Sequence, residues 1–256
     1  MFALDGHVAL VTGGNGGIGL GFAKGLAQMG ADLMIWGQNP AKNEAAIQTL
    51  TDLGARAQAW QVDVSSEIEV KKAFAEGLAE FGRVDSCFAN AGTYSKGAQF
   101  AKMKTEEWQR TQDVNLNGVF YTLREAAAHM QERFRAGDGG GRLIATSSTS
   151  AIMGAPRMQH YATTKGAILA MIKGLAVELA PFGVTANSIV PGWIETAMTS
   201  KMFNNQRFAS AVLPRIPAKR WGNEDDFAGI AVYLASKASQ YHTGDEIKID
   251  GGYTLF

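Results

Sequence analysis

The chain has 256 residues, a length that one α/β domain can reach, and its 46% hydrophobic and 19% charged residues exclude a disordered or fibrous protein. Its 24 basic and 24 acidic residues give a net charge of zero, so there is no basic excess for binding a nucleic-acid backbone. The single cysteine, Cys87, excludes an intrachain disulfide and a cysteine-based metal site, and nothing in the sequence requires a metal.

The first residues, Met1 to His7, contain neither the basic nor the apolar region of a secretory signal. No apolar run approaches the roughly 20 residues that cross a bilayer. From these two features we expect a cytoplasmic protein without a membrane partner.

Short apolar runs alternate along the chain with longer segments of helical periodicity. In chain order, strands are predicted at residues 8–11, 32–36, 57–62, 84–88, 142–146, 185–190 and 246–249. Helices are predicted at about residues 17–29, from 39 onward, at 66–81, 105–134, 161–179 and 226–235. Asn39 is expected to cap the second helix, with Pro40 in its first turn, and the sequence from Ser66 to Glu69 matches a capping box.

This alternation predicts an α/β fold, a single Rossmann-like, doubly wound parallel sheet of about seven strands with helices on both faces. No linker divides the chain, so residues 1–256 are predicted to form one domain. The less regular segment around residues 193–218 contains Met198, Met202 and Phe203. It is long for a connection and is predicted to be a lid over the substrate.

A glycine-rich turn directly follows the first strand and opens the first helix. Gly13, Gly17 and Gly19 have the spacing G-x-x-x-G-x-G. Glycine lets the backbone approach a ligand closely, and the exposed amides at the positive end of a helix attract an anion. The turn is therefore interpreted as the pyrophosphate site of a dinucleotide, and the alternative is an ordinary tight turn in an α/β protein.

Tyr161 and Lys165 are four residues apart in a predicted helix and so share one face. An ammonium near a phenol favours the phenolate and lowers its pKa. By itself this pair is more typical of a surface helix. Ser148, however, follows the fifth strand, at the edge of the sheet where open α/β proteins bind their ligands. The neighbouring Ser147 is expected to face away from the site.

Together these residues resemble the short-chain dehydrogenase/reductase family, and the resemblance covers nearly the whole chain. The motifs that carry it are Thr12 to Gly19, Asp63-Val64, Asn90-Ala91-Gly92, Asn115, Ser148, Tyr161, Lys165, Pro191-Gly192 and the late Asp250-Gly251-Gly252.

The resemblance implies an NAD(P)-dependent oxidoreductase that transfers a hydride between nicotinamide and a secondary alcohol or ketone. Tyr161 would be the general acid or base, and Lys165 would lower its pKa and bind the nicotinamide ribose. Ser148 would stabilise charge on the substrate oxygen, and Asn115 would hold a water that relays protons. The other cofactor contacts implied are Gly13, Asn15, Gly17, Ile18, Gly19, Gln38, Asp63, Val64, Asn90, Gly92, Pro191, Gly192, Ile194 and Thr196. The family also implies a homotetramer.

The choice of nicotinamide cofactor depends on the end of the second strand. The family's NAD-selective members tend to have an acid at the position of Gly37, and its NADP-selective members tend to have a basic residue at Gln38 or Gly16. This chain has neither feature. Because a 2′-phosphate without a cation is poorly compensated, the sequence favours NAD(H) over NADP(H), with Lys42 as a possible NADP contact.

The substrate is predicted to be a small ketone or alcohol in an apolar pocket. The residues expected near it are Tyr94, Met153, Ala155, Arg157 and Trp193, with His160 at the rim. Sugar or polyol dehydrogenases, 3-oxoacyl-carrier reductases and cyclic ketone reductases stay open as interpretations. A dinucleotide-binding sensor without catalysis is a further alternative, as is an epimerase or dehydratase that uses bound NAD.

Overall fold

The computed structural model describes residues 1–94, 97–197 and 199–255. Within them, the strands are β1 (Val8–Thr12), β2 (Asp32–Gly37), β3 (Ala57–Gln61), β4 (Ser86–Ala89), β5 (Gly141–Thr146), β6 (Val184–Pro191) and β7 (Glu246–Ile249). They form one sheet in the order β3-β2-β1-β4-β5-β6-β7, and every neighbouring pair is parallel. The predicted doubly wound parallel sheet is confirmed.

The α-helices of the described residues are α1 (Gly17–Gln28), α2 (Pro40–Asp52), α3 (Glu67–Phe81), α4 (Thr105–Gln112), α5 (Gly118–Arg135), α6 (Ser150–Met153), α7 (Gln159–Leu179), α8 (Ser200–Phe203), α9 (Gln206–Val212) and α10 (Ala228–Ala235). None of them combines the length and apolar character of a membrane span.

Buried apolar side chains cover both faces of the sheet, as parallel sheets require. Along β1 and β2, Leu10 and Met34 point to a face packed by α3, α5 and α7. Val11 and Ile35 point to the other face, which α1, α2 and α10 cover. The alternation of side chains along each strand thus divides one apolar run between two cores.

Several predicted helix boundaries change in the structure. The helix predicted at 105–134 consists of α4 and α5 joined by a π-helical segment, Asp113–Asn117. The helix predicted from residue 226 begins with a 3₁₀ turn, Glu224–Phe227, capped by Asn223. The capping box at Ser66 is only half formed. Its hydroxyl accepts from the Glu69 amide, but the Glu69 carboxylate accepts from the amide of Asp63 instead.

Candidate active site

The order of the strands reverses between β1 and β4, because the chain builds β2 and β3 on one side of β1 and then crosses to the other. Open α/β sheets bind ligands beyond the carboxyl ends of their strands at such a point. The glycine-rich turn after β1 and the segment Asn90 to Gly92 after β4 meet there. The architecture therefore places the two sequence motifs side by side at this crevice.

Asn90 supports the glycine-rich turn by hydrogen bonding. The turn also has no room for a side chain at Gly19. A Cβ at Gly19 would collide with the carbonyl oxygen of Gly13. The Asn90 side chain donates to the carbonyl of Thr12 at 3.1 Å and accepts from the hydroxyl of Thr146 at 3.1 Å, which ties the ends of β1, β4 and β5 together. Asn90 uses its side chain for these bonds, and its expected contact with the cofactor stays a prediction.

A cavity of about 790 Å³ opens beside this turn. Six of the predicted cofactor residues line it, namely Gly13, Asn15, Gln38, Asp63, Val64 and Gly92. The Asp63 carboxylate accepts hydrogen bonds from the amide and the hydroxyl of Ser65, at 3.0 and 2.6 Å.

The Asn15 side chain fills the space beside Gly37, a contact that the sequence did not predict. A Cβ at Gly37 would collide with the amide nitrogen of Asn15, which donates to Asn43 at 2.7 Å. Asn43 is buried and in turn donates to the carbonyl of Gly37 at 3.0 Å. Asn43 lies 28 residues from Asn15 in the sequence, and no local pattern links the two.

A second cavity, of about 620 Å³, includes Ile18 of the glycine-rich turn in its lining, and we refer to it as the substrate cavity. Its lining includes seven predicted site residues, namely Ile18, Ser148, Tyr161, Pro191, Gly192, Ile194 and Thr196. Tyr94, Met153, Ala155, Trp193 and Met202 also line it, as expected.

Other predicted pocket residues lie elsewhere. His160, expected at the rim, is fully buried, and Arg157 is exposed and outside the described lining. Phe203 packs against Trp221 with ring centroids 4.2 Å apart, within an aromatic cluster that also holds Trp193 and Phe208. Met198 lies outside the described residues. The predicted lid segment thus contains α8 and α9, anchored by aromatic packing.

Tyr161 and Ser148 line the substrate cavity, and the ammonium of Lys165 lies beside the Tyr161 ring. The hydroxyl group of Ser148 lies beside that of Tyr161. Burial raises the pKa of Tyr161, while the interaction with Ser148 opposes the rise. Ser147, as expected, is turned away from these groups, because its hydroxyl donates to the backbone carbonyl of Lys165 at 2.8 Å.

Lys165 is only 3% exposed, and burial lowers its pKa to about 8. Its ammonium donates to the carbonyl oxygen of Thr146 at 2.7 Å and lies 5.6 Å from the centroid of the Tyr161 ring. Thr146 was not among the predicted site residues. The only sequence feature that could have indicated it is its position at the end of β5. The expected lowering of the Tyr161 pKa by Lys165 stays a prediction, because here burial and Ser148 dominate.

Asn115 lies in the π-helical segment between α4 and α5 and is fully buried. Its side chain pairs with the backbone of Thr93, accepting from the amide at 2.7 Å and donating to the carbonyl at 3.0 Å. A Cβ at Gly92 would lie 3.3 Å from Asn115 Oδ1 and 3.7 Å from Lys165 Nζ, so both groups approach the same glycine. Single π turns inside α-helices are common at functional sites.

These residues fit a dinucleotide. The positive end of α1 and the glycines of the turn suit a pyrophosphate, and the two cavities are lined by the end of β2 and by Tyr161, respectively. Gly92, Lys165 and Thr196 would line the part that receives the nicotinamide ribose and ring. The phenol, hydroxyl and ammonium at that end can together transfer a proton to or from a substrate oxygen.

Comparison with known proteins agrees with this geometry. The model of the family described as Enoyl-(Acyl carrier protein) reductase matches residues 13–254. The crystal structure of a short-chain type dehydrogenase/reductase from Mycobacterium marinum has a TM-score of 0.93 and 34% identity, and the match covers 100% of this chain and 98% of that one. The chain belongs to the short-chain dehydrogenase/reductase family.

Two further members of the family act on sugar acids by name. A 2-dehydro-3-deoxy-D-gluconate 5-dehydrogenase of Pseudoalteromonas atlantica is 37% identical over 253 residues, which are 98% of this chain and 97% of that protein. A gluconate 5-dehydrogenase of Burkholderia cenocepacia, crystallised with NADP and tartrate, is 34% identical with a TM-score of 0.92, covering 100% of this chain and 98% of that one. The protein is an NAD(P)-dependent oxidoreductase of the short-chain family that interconverts a hydroxyl group and a ketone on a small molecule.

Proposed function

We propose that this short-chain dehydrogenase/reductase oxidises a secondary hydroxyl group of a small polyhydroxylated compound, or reduces the corresponding ketone, with NAD(H). Tyr161 transfers the proton to or from the substrate oxygen, and Ser148 donates a hydrogen bond to that oxygen. Lys165 binds the nicotinamide ribose and favours the phenolate, and Asn115 orders a water that relays protons towards Lys165. A bound nicotinamide supplies or accepts the hydride.

The pairing of Ser148 and Tyr161 in the wall of the substrate cavity is the observation that carries this proposal, because it offers two hydroxyl groups to one substrate oxygen. That oxygen would contact a proton donor and a charge-stabilising donor together. A dinucleotide-binding sensor has no use for such a pair, and this disfavours the sensor alternative.

The preference for NAD(H) is supported by the surroundings of Gly37 and Gln38. Among the described residues that line the 790 Å³ cavity beside the glycine-rich turn, Arg110 is the only cation, and it belongs to α4 rather than to the end of β2. The amides of Asn15 and Gln38 suit ribose hydroxyl groups. The gluconate 5-dehydrogenase and another relative were crystallised with NADP, so the preference needs a direct measurement.

A polyhydroxylated substrate is supported by the names of the relatives and by the cavity itself. Its lining combines the hydroxyl groups of Ser148, Thr149, Ser150 and Thr199 with apolar walls. A relative named 3-oxoacyl-[acyl-carrier-protein] reductase, 35% identical over 251 residues, favours a second candidate, reduction of a 3-oxoacyl group on a carrier. That reaction would use the same Ser148 and Tyr161.

We further propose that residues 1–256 act as one dinucleotide-binding and catalytic domain, with residues 193–218 as its lid. A homotetramer is supported by exposed apolar side chains on the long helices, namely Phe120 and Phe134 on α5 and Val177 on α7. A cytoplasmic location is supported by the single thiol, Cys87, which is buried and not part of a disulfide.

A coupled absorbance screen tests these proposals. Polyols, aldonates and alcohols would be assayed for reduction of NAD and NADP, and ketones and a 3-oxoacyl thioester for the reverse reaction. Turnover of polyhydroxylated compounds with NAD supports the main proposal, whereas turnover confined to the thioester supports the second candidate. Light scattering would measure the subunit number, and a monomer at micromolar concentration would contradict the tetramer.

A further inference from the structure

Arg215 is the only charged side chain in the described lining of the substrate cavity. It ends the 3₁₀ turn Leu213–Arg215, at the end of the lid segment. The other described lining residues are apolar or neutral and polar, including Tyr161 and Ser148. The described wall therefore offers a substrate one positive charge and no negative charge.

The guanidinium group of Arg215 rests on an aromatic ring that is itself held in place. Its central carbon lies 4.9 Å from the centroid of the Tyr253 ring. Tyr253 is only 8% exposed and packs edge-on against Trp193, with centroids 5.9 Å apart. Both rings also line the substrate cavity. A fixed ring face restricts the orientation of the guanidinium plane before any substrate arrives.

The hydrogen-bonding capacity of Arg215 is not used by this contact. A guanidinium carries five N–H donors in one plane, and a cation–π contact occupies the face and leaves the edge available. No carboxylate of the described residues lies within 4.0 Å of it. Arg215 is exposed, so its charge stays hydrated and holding it there costs little free energy. No carboxylate of the described residues neutralises that charge.

A guanidinium matches a carboxylate with two parallel hydrogen bonds, and such charge-assisted pairs are stronger and more directional than bonds to hydroxyl groups. A lone cation in a cavity with apolar walls also raises the local concentration of anions.

We propose that Arg215 binds the carboxylate of the substrate, so that the preferred substrates are hydroxy acids of the aldonate class rather than neutral polyols. This inference rests on the proposed function, because it takes Ser148 and Tyr161 to mark the reacting hydroxyl. Arg215 is then a specificity-determining residue at the far end of the same substrate.

D-Gluconate and D-glucitol are the matched probes for this proposal, because they differ only at C1, a carboxylate in one and a hydroxymethyl group in the other. We expect the wild-type enzyme to have a higher kcat/KM for D-gluconate. Arg215→Gln is expected to lower kcat/KM for D-gluconate about tenfold or more, mainly by raising KM, and to leave the value for D-glucitol unchanged. Arg215→Lys should be intermediate, since an ammonium cannot form the paired contact.

Arg207→Gln on α9 is the control, because it removes an exposed cation of the same segment that is outside the described lining of the cavity. It should change neither substrate's kinetics. Calorimetric titration of D-gluconate into the enzyme with its cofactor gives a second readout, in which Arg215→Gln should raise Kd by the same factor.

Three results would overturn the assignment while leaving the proposed function intact. They are a wild-type preference for neutral alcohols, an equal effect of Arg215→Gln on both probes, and no effect on D-gluconate. Turnover of a 3-oxoacyl thioester that is insensitive to Arg215→Gln, without turnover of hydroxy acids, would also overturn it and would favour the carrier reductase. Failure to oxidise or reduce any alcohol or ketone with either cofactor would contradict the proposed function itself.

Discussion

The ammonium group of Lys165 lies over the ring of Tyr161, 5.6 Å from its centroid, and donates its hydrogen bond to the carbonyl of Thr146 rather than to the phenol. The helical spacing of the two residues places them side by side. The direction of the ammonium is set by its hydrogen bond to the Thr146 carbonyl at the end of β5. The ammonium is thus not bonded to the phenol, and its lowering of the Tyr161 pKa stays a prediction. This relationship makes the hydroxyl of Tyr161 available to Ser148 and to a substrate.

Replacing Tyr161 with Phe is expected to remove turnover while leaving cofactor binding largely intact. The variant keeps the ring that packs against Tyr94 and loses only the hydroxyl, so kcat should fall about a thousandfold. Turnover is measured by absorbance and cofactor Kd by fluorescence titration. Tyr94→Phe is the control, because it removes another hydroxyl of the same cavity and should retain activity. Unchanged turnover in Tyr161→Phe would show that the phenol does not transfer the proton.

The neighbouring serines provide a matched pair of substitutions. Ser148→Ala removes the interaction that lowers the pKa of Tyr161, so kcat should fall about a hundredfold or more and its pH profile should move to higher pH. Ser147→Ala removes a bond to the carbonyl of Lys165, which should cost about 1 kcal/mol of stability with little change in kcat. Steady-state kinetics across pH and urea unfolding separate the two effects. The assignment of Ser148 is wrong if both variants lose activity equally.

The buried Lys165 should make stability depend on pH. Its pKa is about 8 in the folded protein, whereas a lysine in an unfolded chain titrates near 10.4. Between these values the unfolded chain binds more protons, so this group's contribution to the free energy of unfolding rises with pH. Relative to Lys165→Met, the wild type should therefore gain roughly 3 kcal/mol from about pH 7 to about pH 10.5. Denaturant titrations measure the difference, and the exposed Lys42→Met controls for loss of a surface cation. A difference that is constant with pH contradicts the prediction.

Gly19 and Gly16 test how the glycine-rich turn holds its ligand. A Cβ at Gly19 would meet the carbonyl of Gly13, while a Cβ at Gly16 would meet nothing within 4 Å. Gly19→Ala must displace the turn and is expected to weaken cofactor binding at least tenfold. Gly16→Ala should leave it nearly unchanged, because its φ of 173° is extended backbone open to any residue. Equal Kd values for the two variants, by fluorescence titration, would exclude the turn as the binding element.

Gln38→Arg should shift the cofactor preference towards NADP(H). A guanidinium at the exposed end of β2 can pair with a 2′-phosphate. In the wild type, no described residue of the cavity lining at this end of β2 is a cation. We expect the ratio of kcat/KM for NAD to that for NADP to fall about tenfold or more. Gln38→Leu removes the amide without adding charge and should not produce this shift. A wild type that already strongly prefers NADP(H) would overturn the proposed NAD(H) preference.

The sequence by itself determined the sheet, the glycine-rich turn and the pair Tyr161 and Lys165, because each depends on local spacing along one strand or helix. It could not determine contacts between distant segments. Asn43 reaches Asn15 across 28 residues, Thr146 accepts from Lys165 across 19, and Asn90 joins three strand ends. These contacts exist because parallel strands far apart in the sequence end at the same edge of the sheet, and only the tertiary structure brings that edge together. The same reason applies to Arg215, whose exposed position in an irregular segment has no periodicity, and whose place in the substrate cavity follows from the packing of Tyr253 and Trp193.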